Sequence, residues 1–181
     1  MIRSNIDSQI GITQWKTNRT SMSFVISHTY KFVYVHIPKT GGTSLDMYLK
    51  EVLPSTDLFY GHRHVSFAAE YLDDYFVWAT LRNPFDRFIS IYLGECQRMG
   101  KRPFSQFVDE IVCTAIPLYT SFLPQEYWVR DKDKIPIDKF VNFKNLVPET
   151  LEILNSLGVP NSNYYPWVRR SERKPWQEYF N

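Results

Sequence analysis

Cysteine is scarce in this chain of 181 residues, which contains only Cys96 and Cys113. Two cysteines give no disulfide framework of the kind that stabilises small secreted domains, and their spacing does not match a zinc site. We therefore expect each of them to be a small buried apolar residue rather than a ligand.

Long apolar stretches are absent as well. No segment approaches the ~20 apolar residues that span a bilayer, and the N-terminus lacks the apolar core of a signal peptide. The sequence therefore predicts a soluble, cytoplasmic protein.

The chain also lacks an excess of either charge, since 21 lysines and arginines oppose 19 acidic residues, for a net charge of +2. That balance does not indicate a nucleic-acid partner, although local basic clusters could still hold an anionic ligand.

Apolar and aromatic residues, by contrast, are abundant. They make up 44% and 17% of the chain, respectively, which is enough to fill the core of one domain covering residues 1–181. Residues 1–22 are polar and weakly patterned, so we expect an extended or weakly ordered arm there.

Two strand-loop-helix units follow one another in the sequence. The apolar run at residues 30–35 precedes a loop and a helical pattern over residues 43–53. The run at residues 75–81 is typical of a strand buried on both faces, and Asn83 is a suitable N-cap for the next helix. This repetition predicts an α/β sandwich of three layers with a mainly parallel sheet. We also expect a loop at 54–63, helices at 66–72, 104–112 and 148–157, and a strand at 138–143.

The loop after the first strand, residues 36–45, reads HIPKTGGTSL. Gly41 and Gly42 let the backbone approach a phosphate closely, and the N–H groups at a helix N-terminus can hold it. In nucleoside triphosphatases the pattern is GxxxxGK[ST], in which lysine follows the last glycine. Here Lys39 precedes both glycines. The motif therefore predicts binding of a phosphate from another donor.

A second motif, LRNPFDRFIS, follows the second strand. Arg82 stands at the carboxyl end of that strand, where ligands bind in open α/β sheets, and Ser90 lies about two helical turns further on. A guanidinium and a hydroxyl together form a good receptor for a terminal phosphate. Alternatively, Arg82 is a buried ion-pair partner of Asp86 or Glu70.

The two motifs together resemble those of the sulfotransferase family, whose donor is 3′-phosphoadenosine 5′-phosphosulfate. The resemblance covers residues 32–180 and implies the P-loop-like sulfotransferase fold. It is closest to the Golgi-type carbohydrate sulfotransferases, and residues 59–92 look like the uronosyl 2-O-sulfotransferases. It implies transfer of a sulfuryl group to a hydroxyl of a saccharide or related small molecule, with 3′,5′-bisphosphoadenosine as the product. The implied cofactor residues are Lys39, Thr40, Gly41, Gly42, Thr43 and Ser44 for the 5′-phosphosulfate, and Arg82 and Ser90 for the 3′-phosphate.

The segment GHRHVSF supplies two candidate bases, His62 and His64. An unperturbed imidazole pKa near 6.5 suits proton abstraction at neutral pH. The resemblance implies that His64 is the base, that His62 orients the acceptor or is an alternate base, and that Lys39 contacts the leaving oxygen. A metal is not expected, because no third ligand stands near the histidine pair and the reaction requires none. We expect His36 to shape the first loop through local hydrogen bonds.

The last part of the chain interleaves aromatic and basic residues. Its arginines, Arg169, Arg170 and Arg173, have three interpretations: a solvated surface, a cover over the 3′-phosphate, or a contact with a sugar acid in the acceptor. The resemblance supports the second interpretation, with Trp167 or Trp176 packing nearby.

Two other functions stay open at this point. A small nucleotide kinase would use the first loop to bind ATP. Two features disfavour a kinase: Lys39 precedes the glycines, and Arg82 follows the second strand at the position where a kinase would carry an acidic magnesium ligand. A module that binds the cofactor without catalysis would keep both phosphate motifs. The sequence does not identify the acceptor or the oligomeric state.

Overall fold

The computed structural model describes residues 24–114, 120–162, 165–166 and 173–180. The expected arm at residues 1–22 lies outside these ranges, as do Trp167, Arg169 and Arg170.

A five-stranded sheet forms the centre of the fold. Its strands are β1 (Phe24–Ser27), β2 (Phe32–Val35), β3 (Leu58–Tyr60), β4 (Phe76–Leu81) and β5 (Lys139–Asn142), in the spatial order β3-β1-β2-β4-β5. The pairs β2–β4 and β4–β5 are parallel, whereas β1 is antiparallel to both of its neighbours. Four of the five strands thus run in one direction, which confirms the prediction of an α/β fold with a mainly parallel sheet.

Helices cover the two faces of this sheet. The α-helices are α1 (Gly42–Val52), α2 (Pro84–Met99), α3 (Phe104–Thr114), α4 (Gln125–Val129) and α5 (Leu146–Ser156), and 3₁₀ turns cover Val65–Ala68, Thr120–Phe122, Phe143–Asn145 and Trp176–Tyr179. Successive side chains of a strand point to opposite faces. In β2, accordingly, Phe32 and Tyr34 pack with α1 and α5, whereas Val33 and Val35 pack with the turn Val65–Ala68 and with α4.

The N-terminus of α2 is built as its sequence predicts. Asn83 is the N-cap, and its side-chain oxygen accepts hydrogen bonds from the backbone N–H groups of Phe85 at 3.0 Å and Asp86 at 3.1 Å. Pro84 occupies the first helical position, where its missing N–H costs nothing. This cap fixes the direction in which the chain leaves β4.

Several sequence-based expectations were wrong. The expected loop at 54–63 contains β3, and β1 was not expected at all. Both strands are short, with three residues in β3 and four in β1, and they are stabilised by pairing with each other. The expected helix at 66–72 is only the 3₁₀ turn Val65–Ala68. Neither cysteine is buried, since Cys96 is half-buried and Cys113 is exposed. Across the part of the chain that the structure describes, no helix combines the length and apolarity needed to cross a membrane.

Leu146 begins α5 and is 1% exposed in the core. Replacing it with Ala should lower the free energy of unfolding by about 2–5 kcal/mol, because the remaining side chains close the resulting cavity only in part. Urea denaturation measures this change. Val112→Ala is the control, because Val112 is 75% exposed and its loss should cost less than about 0.5 kcal/mol. Equal losses in the two variants would contradict the assigned core.

Candidate active site

The carboxyl ends of β2 and β4 bring the two sequence motifs together. The strands are parallel neighbours, and Val35 at the end of β2 pairs with Ala79. The loop at residues 36–41 and Arg82 therefore leave the sheet at the same edge, which is where ligands bind in open α/β sheets.

The first motif forms a tight turn into α1. Gly41 is the N-cap, with a φ of 90°, a conformation that residues with a side chain rarely adopt. A Cβ on Gly41 would also lie 2.7 Å from a methyl carbon of Leu146 and 3.0 Å from the ring of Phe143. Glycine is therefore required here by both backbone conformation and packing.

The first turn of α1 presents amide donors. The N–H groups of Ser44 and Leu45 donate to the carbonyl of Gly41 at 3.1 and 3.4 Å. The N–H groups of Gly42 and Thr43 precede these first intrahelical bonds, so they are the ones positioned to bind an anion at the positive helix end. Thr40 serves the loop itself, since its hydroxyl donates to the Ile37 carbonyl at 2.8 Å.

Lys39 connects this loop to α2. Its backbone is left-handed, with a φ of 69°, and its side chain is half-buried. Its ammonium lies against α2, because Nζ is 2.4 Å from the position that a Cβ on Gly94 would take. Ser90 lies four residues before Gly94 and so on the same helix face. Lys39 and Ser90 therefore line adjoining parts of one surface.

Arg82 ties the second motif to the first. Its Nη1 donates to the Lys39 carbonyl at 2.9 Å, and its Nε donates to Asp86 at 2.6 Å. Its guanidinium carbon lies 4.1 Å from the ring centre of Phe143. Of the two carboxylates that the sequence offered as partners, Asp86 forms the ion pair. Burial lowers the pKa of Arg82, but a guanidinium remains charged at neutral pH.

Asp86 also forms an ion pair with Arg173, which lies in the last described segment. An Nη2 of Arg173 lies 2.7 and 2.9 Å from the two Asp86 carboxylate oxygens, and the side chain of Arg173 is 16% exposed. Trp176 stacks on Phe85, with 4.8 Å between ring centres. The tail thus packs against the start of α2, and Arg173 is not simply a solvated surface residue.

Two residues of the site were missed by sequence reasoning. The guanidinium of Arg87 donates to three backbone carbonyls, those of Pro38 at 2.9 Å, Ser121 at 2.7 Å and Leu123 at 3.0 Å. The side-chain amide of Gln125 bonds both the N–H and the carbonyl of Arg82, at 3.0 and 2.8 Å. Burial, followed by the charge of Arg82, lowers the pKa of Arg87 to about 10, so it keeps its charge. Their partners are backbone atoms distant in sequence, which no local pattern signals.

His62 lies inside the site. Its Nδ1 is 3.4 Å from the carbonyl oxygen of His36, and its ring centre is 4.4 Å from that of His36 and 5.9 Å from that of Trp128. Burial lowers the pKa of His62. The hydrogen bond to the His36 carbonyl opposes this effect, and the positive charges of Lys39 and Arg87 add to it, so that the net change is a lower pKa. His62 is therefore a neutral imidazole at neutral pH.

His64 has different surroundings. It is the N-cap of the turn Val65–Ala68, and its Nδ1 accepts a hydrogen bond from the backbone N–H of Ser66 at 3.1 Å. Its ring centre is 5.4 Å from that of Tyr127. His64 borders an open depression of about 360 Å³, which is also lined by Pro124, Glu126, Tyr127, Arg130 and Lys132. Within the described ranges, no three His, Cys, Asp or Glu side chains form a group that could hold a metal ion.

The fold and these contacts define an α/β protein in which the N-terminus of α1 and the cationic side chains of Lys39, Arg82 and Arg173 meet beyond the ends of β2 and β4. Comparison with protein families matches residues 22–150, well over half of the chain, to the sulfotransferase family. The chain therefore belongs to the sulfotransferase family, and its general activity is sulfuryl transfer. Comparisons with curated proteins and with solved structures found no match.

Gly42 leaves room for His36, whose Nε2 lies 1.9 Å from the position that a Cβ on Gly42 would take. Gly42→Ala should therefore lower the free energy of unfolding by about 1–3 kcal/mol through overpacking, measured by urea denaturation. Gly61→Ala is the matched control, because among the described residues nothing lies within 4 Å of its Cβ position. If the two variants are equally stable, the packing of His36 on Gly42 is not as described.

Proposed function

We propose that this protein transfers a sulfuryl group from 3′-phosphoadenosine 5′-phosphosulfate to an acceptor hydroxyl, by in-line displacement and without a metal. The observation that carries the proposal is the 2.9 Å hydrogen bond from Arg82 to the Lys39 carbonyl. It joins two anion-binding segments at one sheet edge, and a donor with phosphate groups on both the 3′ and 5′ positions matches that pair. A donor with a single phosphate chain would need only one of them.

The first segment would hold the 5′-phosphosulfate. The N–H groups of Gly42 and Thr43 are the available donors of α1, and Thr40 and Gly41 hold the turn that presents them. Together with Lys39 and Ser44 they form the proposed site. The ammonium of Lys39 would offset the negative charge that develops on the leaving oxygen.

The second segment would hold the 3′-phosphate. A guanidinium carries five N–H donors, and the two hydrogen bonds that the guanidinium of Arg82 makes within the described residues use only Nε and Nη1. Ser90 would add a hydroxyl from α2. Arg173, which Asp86 holds beside Arg82, would add a second guanidinium, and Arg169 and Arg170 of the same tail are candidates for further contacts.

Hydrogen bonding supports His62, rather than His64, as the base. A carbonyl oxygen only accepts, so the bond to His36 requires a proton on Nδ1 of His62 and leaves a lone pair on Nε2. An amide N–H only donates, so the bond from the Ser66 backbone favours a bare Nδ1 on His64, to which the Ser66 hydroxyl at 2.8 Å can also donate, and a proton on Nε2 in the neutral ring. His64 would then donate to the acceptor or to a sulfuryl oxygen. This exchanges the roles that the sequence resemblance favours.

In the proposed reaction, Nε2 of His62 takes the proton of the acceptor hydroxyl as the acceptor oxygen attacks sulfur. An oxygen–sulfur bond forms to the acceptor, and the bond from sulfur to the 5′-phosphate oxygen breaks. 3′,5′-Bisphosphoadenosine leaves with the electron pair of that bond, beside Lys39. The protein contributes alignment, a base and positive charge at the leaving oxygen.

A saccharide acceptor, as in the carbohydrate branch of the family, would suit the depression beside His64. Tyr127 offers an aromatic ring next to His64, and Lys132 offers a cation for a sugar acid, whereas Arg130 is already paired with Glu126. The depression is open, so it would admit part of a larger glycan as well as a small molecule.

Donor identity is tested by thermal unfolding. At 100 times its Kd, 3′,5′-bisphosphoadenosine should add about 2.7 kcal/mol of stability, because it binds only the folded chain. For a chain of this length that raises Tm by about 5–10 °C. ATP with magnesium should raise Tm much less, because it lacks the 3′-phosphate. An equal response to both ligands would favour a nucleotide kinase and contradict the assignment of Arg82 and Ser90.

The identity of the base is tested by His62→Ala and His64→Ala, compared in donor turnover. His62→Ala should lower kcat by roughly 10²–10⁴-fold while the Tm response to 3′,5′-bisphosphoadenosine is retained. Since the base acts when unprotonated and its pKa is lowered, the wild-type rate should fall with acid only below about pH 6.5. Normal turnover by His62→Ala would return the role to His64. A wild type that binds the product but transfers nothing would be a binding module.

A further inference from the structure

The side chain of His36 is buried at a cost that packing alone does not explain. It is 4% exposed at the end of β2, and within the described residues its Nδ1 has no hydrogen-bond partner. An unsatisfied buried polar group typically costs about 1–3 kcal/mol, which an apolar side chain at the same position would avoid. A buried group of this kind calls for an explanation beyond apolar packing.

The ring of His36 connects three parts of the site. It stacks on Tyr34 of β2, with 6.1 Å between ring centres and 22° between planes. Its Nε2 occupies the space that a Cβ on Gly42 would need, at the first turn of α1. On the third side it lies 4.4 Å from the ring of His62.

His62 depends on these contacts for its orientation. The hydrogen bond from its Nδ1 to the His36 carbonyl is 3.4 Å long, which is beyond the usual range and therefore weak. Ring packing must supply the rest, from His36 on one side and Trp128 at 5.9 Å. The ring of His36 thus helps to hold His62 in the orientation in which its Nδ1 bonds the His36 carbonyl, and this bond determines which nitrogen of His62 carries the proton.

We propose that the ring of His36 is a positioning residue for His62: it holds the His62 imidazole on the His36 carbonyl, with Nε2 unprotonated, and fixes it relative to the phosphate-binding turn at Gly42. This inference rests on the proposed function, in which His62 is the base. It assigns to His36 a role in proton transfer that goes beyond shaping the loop.

The charges around the two rings agree with this role. Burial, and then His62, hold the pKa of His36 well below its ordinary value, so that His36 is neutral in the working range. His62 faces Lys39 from the loop and Arg87 from α2, and both disfavour its protonation. Without the His36 ring, water would reach His62, and the pKa of His62 would rise toward its ordinary value near 6.5.

The test compares His36→Ala, which removes the ring, with His36→Phe, which keeps an aromatic ring and removes the nitrogens. His36→Ala should lower kcat by about 10²-fold, the loss that a misplacement of 1 Å can cause, with little change in KM for the donor. The acid limb of its pH profile should move to higher pH. His36→Phe should restore both toward wild type. A His36→Ala variant with wild-type kcat and acid limb would overturn the proposal, and so would a His36→Phe variant as impaired as His36→Ala.

A second measurement does not require activity or a stable variant. In ¹⁵N-labelled wild type, NMR should find neutral His62 with its proton on Nδ1, and a proton on Nε2 would overturn the proposal. In folded His36→Ala the two tautomers should mix. The tautomer is measured without the donor, so this result does not depend on the proposed function. The proposed function fails separately, if wild type neither binds 3′,5′-bisphosphoadenosine nor transfers a sulfuryl group.

Discussion

The hydrogen bond from Arg82 to the carbonyl of Lys39 is the constraint on which the site depends. It joins the residue that follows β4 to the loop that follows β2, at 2.9 Å, and so fixes the spacing of the two segments proposed to bind phosphate. Gln125 in turn holds the backbone of Arg82 through both its N–H and its carbonyl. The position of Lys39 beside α2 follows from this arrangement rather than from the loop sequence alone.

The guanidiniums of the site donate largely to backbone carbonyls, which orient them without neutralising their charge. Arg87 bonds three carbonyls, and Arg82 bonds one. The carboxylate of Asp86 is shared between Arg82 and Arg173, so the pair keeps a net positive charge. A chain with a net charge of only +2 thereby concentrates cations where an anionic donor would bind.

Local patterns predicted the parts of the fold that depend on local sequence. The cap at Asn83 was predictable because few residue types cap a helix N-terminus, and the loop before α1 was predictable because two adjacent glycines interrupt the pattern between a strand and a helix. The strands β1 and β3 were not, since three or four residues carry too little pattern, and their pairing involves distant segments. The roles of Arg87 and Gln125, and the tautomer of His62, depend on hydrogen bonds to distant segments for the same reason.

The most direct test of the two-phosphate site is a crystal structure with 3′,5′-bisphosphoadenosine bound. The 5′-phosphate should lie within hydrogen-bond distance of the N–H groups of Gly42 and Thr43, and the 3′-phosphate should contact Arg82 and Ser90. A bound nucleotide whose 3′-phosphate lies away from Arg82, while Arg82 still bonds Lys39 and Asp86 alone, would contradict it.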